Sequence, residues 1–254
     1  MKPHEHGSHL ERFYFPDGFG SDRLWVGGEE AHHLATAKRV RVGERVELFD
    51  GKGNACVAVV REAAKGRVLV DVESRRETSR EPGVAITLAF AVPKGDRADF
   101  LVQKCAELGV RELIPLQTER SVVRLPPGDP KRVEKWRRVS VEASKQCGRN
   151  FLTGIRPAAA LQTMLAQSVA FELALMASLG AESRPLKAVL DERGSARQVL
   201  CLVGPEGGFT EQELAAGRAA GCHLVTLGPS ILRVETAAIA VAAMVLYALS
   251  DATD

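Results

Sequence analysis

The sequence predicts an α/β protein in two parts, a small β-barrel followed by a mostly parallel sheet with helices on both faces. Three observations carry this expectation. Up to about Thr78 the apolar residues fall in short alternating runs separated by glycine turns. Beyond it, continuous apolar runs alternate with segments of helical spacing. Between the two lies ESRRETSREPG, a charged stretch ending in Pro82-Gly83 that reads as a linker. The expected domains are therefore residues 1–79 and 80–254. A chain of 254 residues accommodates two, at ~100–200 residues per domain.

In chain order, RFYF and DRLWVG read as strands and EEAHHLATAKRV as a short helix. ERVELFD, NACVAVVRE and GRVLVDVES follow as strands, separated by turns at Gly51-Lys52-Gly53 and Lys65-Gly66. So many short strands in so short a segment suit a barrel. After the linker, VAITLAFAV has the unbroken apolar character of a strand buried on both faces. RADFLVQKCAELGV is helical in period, with Gly109 placed to cap its end. RELIPLQ is a strand, Pro130 to Gly148 a long basic helix, and FELALMA and QVLCLVG two further strands. Thr210-Glu211-Gln212-Glu213 is a capping box that opens a helix stopping at Gly221. HLVTL and Glu235–Leu249 supply the last strand and helix.

Composition narrows the function. Apolar residues at 45% and charged residues at 26% are those of a globular protein. No uncharged stretch exceeds the fifteen residues of Thr236–Ser250, short of the ~20 that cross a bilayer. The N-terminal MKPHEHGSHLERFYF carries charge where an export signal needs an apolar core. Five cysteines without a CxxC pair fit reduced thiols in the cytoplasm rather than a disulfide scaffold or zinc finger. Net charge is only +2, but residues 131–149 hold seven Lys/Arg against Glu134 and Glu142. A stripe of that sign suits RNA phosphates. The adjacent His32-His33 has no carboxylate or cysteine at ligand spacing, so a helix start is preferred to a metal site.

Two glycine-rich loops stand out. Val203-Gly204-Pro205-Glu206-Gly207-Gly208-Phe209-Thr210 follows an apolar strand and precedes a capped helix. Open α/β sheets place ligands beyond the carboxyl ends of their strands, and glycines there let a ligand approach the backbone. The loop lacks the GK[ST] of a P-loop and the GxGxxG of a dinucleotide site, and Glu206 would repel phosphates. Leu227-Gly228-Pro229-Ser230-Ile231-Leu232-Arg233 again joins a strand to a helix. Two such loops on neighbouring strands would enclose one small molecule, though each also fits a tight strand-to-helix turn. Arg233 suits an anion or carbonyl partner, although taken alone a salt bridge to Glu235 or Glu206 is the preferred reading.

GPEGGFT followed by LGPSILRVETA resembles the C-terminal signature of the SPOUT methyltransferases. FDGKG, QKCAELGV, LQTERSVV and KRVEKWRRVSVEASKQCGR narrow the resemblance to the enzymes that methylate N3 of a uridine in 16S ribosomal RNA. It extends from about Arg12 to Leu249. Cys105 stands where that pattern has a small residue, and the eleven N-terminal residues lie outside it.

The resemblance implies a trefoil knot in the C-terminal domain, a PUA-like barrel, a homodimer, and S-adenosylmethionine as cofactor. It places the cofactor among Met176, Ala177, Leu202, Val203, Gly204, Glu206 and Gly207, with Leu227, Gly228, Ile231 and Leu232 opposite. Ser178 would add to the third wall. The apolar helix AAIAVAAMVLYAL would lie in the dimer interface or, equally, in the core. N3 of uracil carries a proton and lies on the pairing edge, so the base must be unpaired and the proton accepted. Arg233 is expected to bind the developing oxyanion, and Glu206 to orient the base, accept the proton or merely brace its loop. RNA contacts are expected from Arg12, Lys38, Arg39, Arg41, Arg132, Arg138 and Arg149, with 16S ribosomal RNA or the small subunit as partner and no metal or membrane. The competing readings are another knotted RNA methyltransferase, acting on ribose 2′-O or guanine, and a non-catalytic RNA-binding assembly protein.

Overall fold

The computed structural model describes residues 10–32, 40–64, 66–76, 81–126 and 129–250, without the side chains of residues 29 and 32. The chain forms two compact units, residues 1–80 with 144–152, and residues 81–143 with 153–254. The expected residues Lys38 and Arg39, and the His32-His33 side chains, lie outside the described set.

The first unit is a curled five-stranded sheet of β1 (Arg12–Tyr14), β2 (Arg23–Gly27), β3 (Arg45–Phe49), β4 (Ala55–Ala64) and β5 (Arg67–Arg76). Its order is β1-β3-β4-β5-β2, antiparallel except for the β1–β3 pair, and one short helix, α1 (Gly28–His32), follows β2. Register shifts in β4 at Val57/Ala58 and Val60/Glu62 are bulges, which increase the local twist and let so small a sheet curl. Alternate residues, Cys56, Ala58 and Val60 among them, pack with Phe13, Leu48 and Val70 in the interior.

Residues 144–152 complete this unit, although the sequence division leaves them in the second domain. Arg12, 8% exposed, pairs with Glu47 at 2.9 Å. The same guanidinium donates to the carbonyls of Ser144 (3.4 Å) and Arg149 (3.2 Å) and to Asn150 Oδ1 (2.6 Å). Opposite it, the FDGKG turn is wound around Asp50, whose Oδ1 accepts the Lys52 and Asn54 amides at 2.7 and 3.1 Å. Gly53, at φ +111°, lies so close to the Phe151 ring that a Cβ there would stand 2.5 Å from it. Arg12 and Arg149 are thus internal rather than RNA-facing. Arg149 is 4% exposed, and a side chain withdrawn from solvent in this way does not reach a phosphate.

The second unit carries eight strands: β6 (Ala85–Ala91), β7 (Glu112–Gln117), β8 (Gly154–Ile155), β9 (Ala159–Ala160), β10 (Leu173–Ala177), β11 (Arg184–Pro185), β12 (Gln198–Val203) and β13 (His223–Thr226). The order is β11-β13-β10-β12-β6-β7-β8, with β9 also on β7, and every pairing is parallel. Its helices are α2 (Arg97–Leu108), α3 (Pro130–Cys147), α4 (Leu161–Gln167), α5 (Leu186–Glu192), α6 (Glu211–Ala219) and α7 (Val234–Leu249). Gly109 caps α2 at φ +91° as its sequence position requires. The last turn of α3 folds with the first unit.

Strand period divides the core in two. Leu173, Leu175, Val199, Cys201 and Val203 face α2, α5 and α7 on one side. Ala174, Met176, Leu200 and Leu202 face α4 and α6 on the other. Each large aliphatic chain buried this way contributes about 1.5–3 kcal/mol. α3 adds Trp136, fully buried, with its Nε1 donating to Asp99 Oδ1 at 3.0 Å. Among the described residues no helix is long and apolar enough to cross a membrane.

The Arg12→Met variant removes the ion-pair partner of Glu47 and the guanidinium that donates to three acceptors. Loss of a buried charged partner is expected to lower stability by about 3 kcal/mol, read from urea unfolding.

Candidate functional site

Three strand ends meet in register. Ala177, the last residue of β10, pairs with Val203 at the end of β12 and with Val225 in β13. Contrary to expectation, the two glycine-rich loops do not end neighbouring strands, because β10 lies between them. A parallel sheet sets spatial order by crossover, which adjacency in sequence does not record.

A cavity of about 250 Å³ opens at these ends. Of the eleven residues expected at a cofactor, Ala177, Val203, Gly204, Glu206, Leu227, Ile231 and Leu232 line it. Met176 and Leu202 are buried in the core on the other face of the sheet. Gly207 and Gly228 shape their loops instead. Gly228, at φ +146°, accepts the Thr226 hydroxyl on its carbonyl at 2.8 Å. The wall also includes Ser178, Leu179, Pro205 and Ser230, which the strand and loop positions fix without any periodic signal. Gly204 is required by contact: a Cβ there would meet the buried Phe209 ring at 2.9 Å.

The loop after β12 is held from its far end. Thr210 caps α6, its Oγ1 accepting the Glu213 amide at 3.2 Å, and Glu213 Oε2 accepts the Thr210 amide at 2.9 Å. The other oxygen, Oε1, accepts the Glu119 amide at 2.8 Å from the segment after β7. That segment reaches back a second time, Arg120 Nη1 donating to the Gly207 carbonyl at 2.7 Å. Glu119 and Arg120 stand in the LQTERSVV stretch, where no local pattern marks this role.

Arg233 is the N-cap residue of α7, exposed and making no side-chain capping bond. Neither its guanidinium nor the carboxylate of exposed Glu206 has a hydrogen-bond or ion-pair partner among the described residues. Of the two expected bridges for Arg233, the one to Glu235 is pre-empted: Glu235 faces Arg97 Nε at 3.9 Å, and its Oε2 is buried without a partner among the described residues. Burial pushes the Cys105 thiol up to about 12, helped by Cys201, and the Cys201 thiol up to about 12 by itself. Both are neutral and unsuited as nucleophiles. Among the described residues no cluster of His, Cys, Asp or Glu has the makings of a metal site.

The basic stretch of residues 131–149 is partly neutralised. Lys135 pairs with Asp99 at 2.5 Å, Arg137 with Glu134 at 3.6 Å, and Lys145 with Glu30 at 2.5 Å. Arg132 lies over the Trp136 ring at 5.7 Å. Lys131 and Arg138 stay exposed without partners among the described residues, and Arg41 is exposed in the first unit.

Known proteins share this architecture. The model for an RNA methyltransferase domain matches residues 80–246, and that for an RNA methyltransferase PUA domain matches residues 26–73. The fold is thus that of an RNA methyltransferase. The ribosomal RNA small subunit methyltransferase E of Bacillus subtilis is 30% identical over 89% of this chain and 87% of its own. That of Mycobacterium tuberculosis is 34% identical over 84% and 82%. The crystal structure of the Neisseria gonorrhoeae enzyme of the same name, bound to S-adenosyl methionine, is 34% identical with a TM-score of 0.87, covering 96% of this chain and 100% of that one. A Legionella pneumophila protein solved with the same cofactor gives 31% and 0.88, over 95% and 99%. The chain belongs to the ribosomal RNA small subunit methyltransferase E family.

Glu213→Ala releases the Thr210 and Glu119 amides together. Stability is expected to fall by about 2 kcal/mol, and amide hydrogen exchange to accelerate at both positions.

Proposed function

We propose that this protein methylates N3 of a uridine in 16S ribosomal RNA with S-adenosylmethionine as methyl donor. The observation that carries the reading is the single cavity shared by the GPEGG and LGPSILRV loops, at the carboxyl ends of three parallel strands. Its lining suits that cofactor. Val203, Leu227, Leu232 and Ala237 give apolar surface, Gly204 leaves backbone groups approachable, and Glu206 and Glu211 supply the negative charge that favours a sulfonium and disfavours phosphate. Backbone of Met176, Leu202, Gly207 and Gly228 would complete the cradle. The bound cofactor supplies an electrophilic methyl group.

The chain's own residues address the acceptor. Arg233, unpaired at the mouth of α7, offers its guanidinium to the charge that develops on O2 or O4 as the N3 proton leaves. Glu206, exposed in its loop, orients the base or takes that proton on its carboxylate. Arg41, Arg132 and Arg138 hold phosphates of the RNA. A homodimer belongs to this reading and is supported by α7. Thr236, Ile239, Ala240, Ala243, Met244 and Tyr247 form an uncharged outward stripe, with Met244 42% and Tyr247 92% exposed. A trefoil-knotted path belongs to this reading too. Action in the cytoplasm fits the five free cysteines.

Small-subunit RNA from cells lacking this protein is expected to lose 3-methyluridine in nucleoside mass spectrometry. Retention of that nucleoside with loss of a 2′-O-methyl or methylguanosine mark would overturn the acceptor assignment. Arg233→Ala is expected to lower turnover by about 10²–10³ while calorimetry shows cofactor affinity unchanged.

A further inference from the structure

Phe100 is out of place for an α/β core. On α2, Ala98, Leu101, Val102 and Cys105 form the buried face, and Phe100 lies on the opposite stripe with Gln103, Lys104 and Glu107. It is 49% exposed. Such an aromatic costs free energy in water unless something covers it. Lys104 Nζ stands 5.8 Å from its ring centroid and is itself held by Glu107 at 2.7 Å. In front of the ring runs a groove of about 600 Å³ between α2 and α3, lined by Gln103, Lys135, Arg138, Val139 and Glu142.

We propose that this groove binds one unstacked base of the RNA outside the reacting nucleotide, with Phe100 as the stacking platform and Arg138 on the adjoining phosphate. The inference rests on the RNA substrate proposed above. The groove holds two carboxylates, Asp99 and Glu142, and two cations, Lys135 and Arg138, so the pairing of these charges rather than their sum selects the occupant. Asp99, the nearest carboxylate on α2, is already spent on Lys135 at 2.5 Å and on Trp136 Nε1 at 3.0 Å. Arg138 therefore adds a cation that is unpaired among the described residues beside an exposed ring. A ring flanked by cations offers a π-face and a phosphate contact within one groove, the combination by which single-stranded nucleic acid is held. Gln103 presents both an amide donor and an acceptor, matching the mixed edge of an uncharged base. A protein partner would want the charges at this centre depleted.

The test is fluorescence anisotropy of the full-length protein with a fluorescein-labelled single-stranded oligouridylate. Phe100→Ala is expected to weaken binding about tenfold and to leave the salt dependence unchanged, since stacking releases no counterion. Arg138→Ala is expected to weaken binding and to reduce the salt slope by about one. Phe100→Trp keeps the affinity and adds a tryptophan signal, beyond that of Trp25 and Trp136, that the RNA quenches. Cofactor affinity and the urea midpoint stay at wild-type values in all three variants. Wild-type affinity in Phe100→Ala overturns the proposal, as does a changed oligomeric mass with unchanged RNA affinity, which would make the groove a protein interface. If the wild-type protein binds no RNA, the substrate reading fails as well, and that result is distinct from the loss of the Phe100 effect alone.

Discussion

Glu213 accepts the Thr210 amide with one carboxylate oxygen and the Glu119 amide with the other, and it does so at 6% exposure. Donors on both oxygens offset the cost of burying this carboxylate. The arrangement joins the start of α6 to the segment after β7 and fixes where the GPEGG loop ends. Arg120 then reaches the Gly207 carbonyl from the same segment. The cavity, built largely from small residues and backbone, takes its shape from these polar ties and from the Phe209 ring under Gly204.

The site separates its charged groups by task. Arg97 and Glu235 face each other at the N-termini of α2 and α7, and Arg120 is bound to a carbonyl, so these charges serve as struts. The exposed side chains of Glu206, which lines the cavity, and of Arg233, between the lining residues Leu232 and Val234, have no such partner among the described residues. Unpaired groups of opposite sign in front of an apolar cavity suit a reaction in which a cation approaches and a negative charge appears at the acceptor. The thiols of Cys105 and Cys201, raised to about 12 by burial, stay outside that chemistry.

The sequence made the local part of this legible. The unbroken run of β6, the Gly109 cap of α2 and the Thr210–Glu213 box are each set by a few adjacent residues, and the structure has all three. The elements it did not announce are short: β8, β9 and β11 have two residues each, α4 and α5 seven. Segments that brief have no period to detect. Long-range placement was the other blind spot. Arg12 and Arg149 read as surface cations because a basic residue gives no local sign that it will be buried beside Glu47, Ser144 and Asn150. The excess positive charge of residues 131–149 likewise looked open, while Asp99 and Glu30, distant in sequence, take up Lys135 and Lys145. Seven of the eleven cofactor candidates line the cavity, because a strand's end and the loop after it are local facts.

The contribution of residues 144–152 to the first unit has a consequence in time. During synthesis the strands of that unit leave the ribosome early, yet the chain that packs on Gly53 and accepts from Arg12 is made only after α2, β7 and most of α3. The N-terminal unit therefore cannot finish folding as an independent, first-emerging module. It must wait, with the Arg12 guanidinium and the face of the FDGKG turn still open to water, until residue 152 has been added.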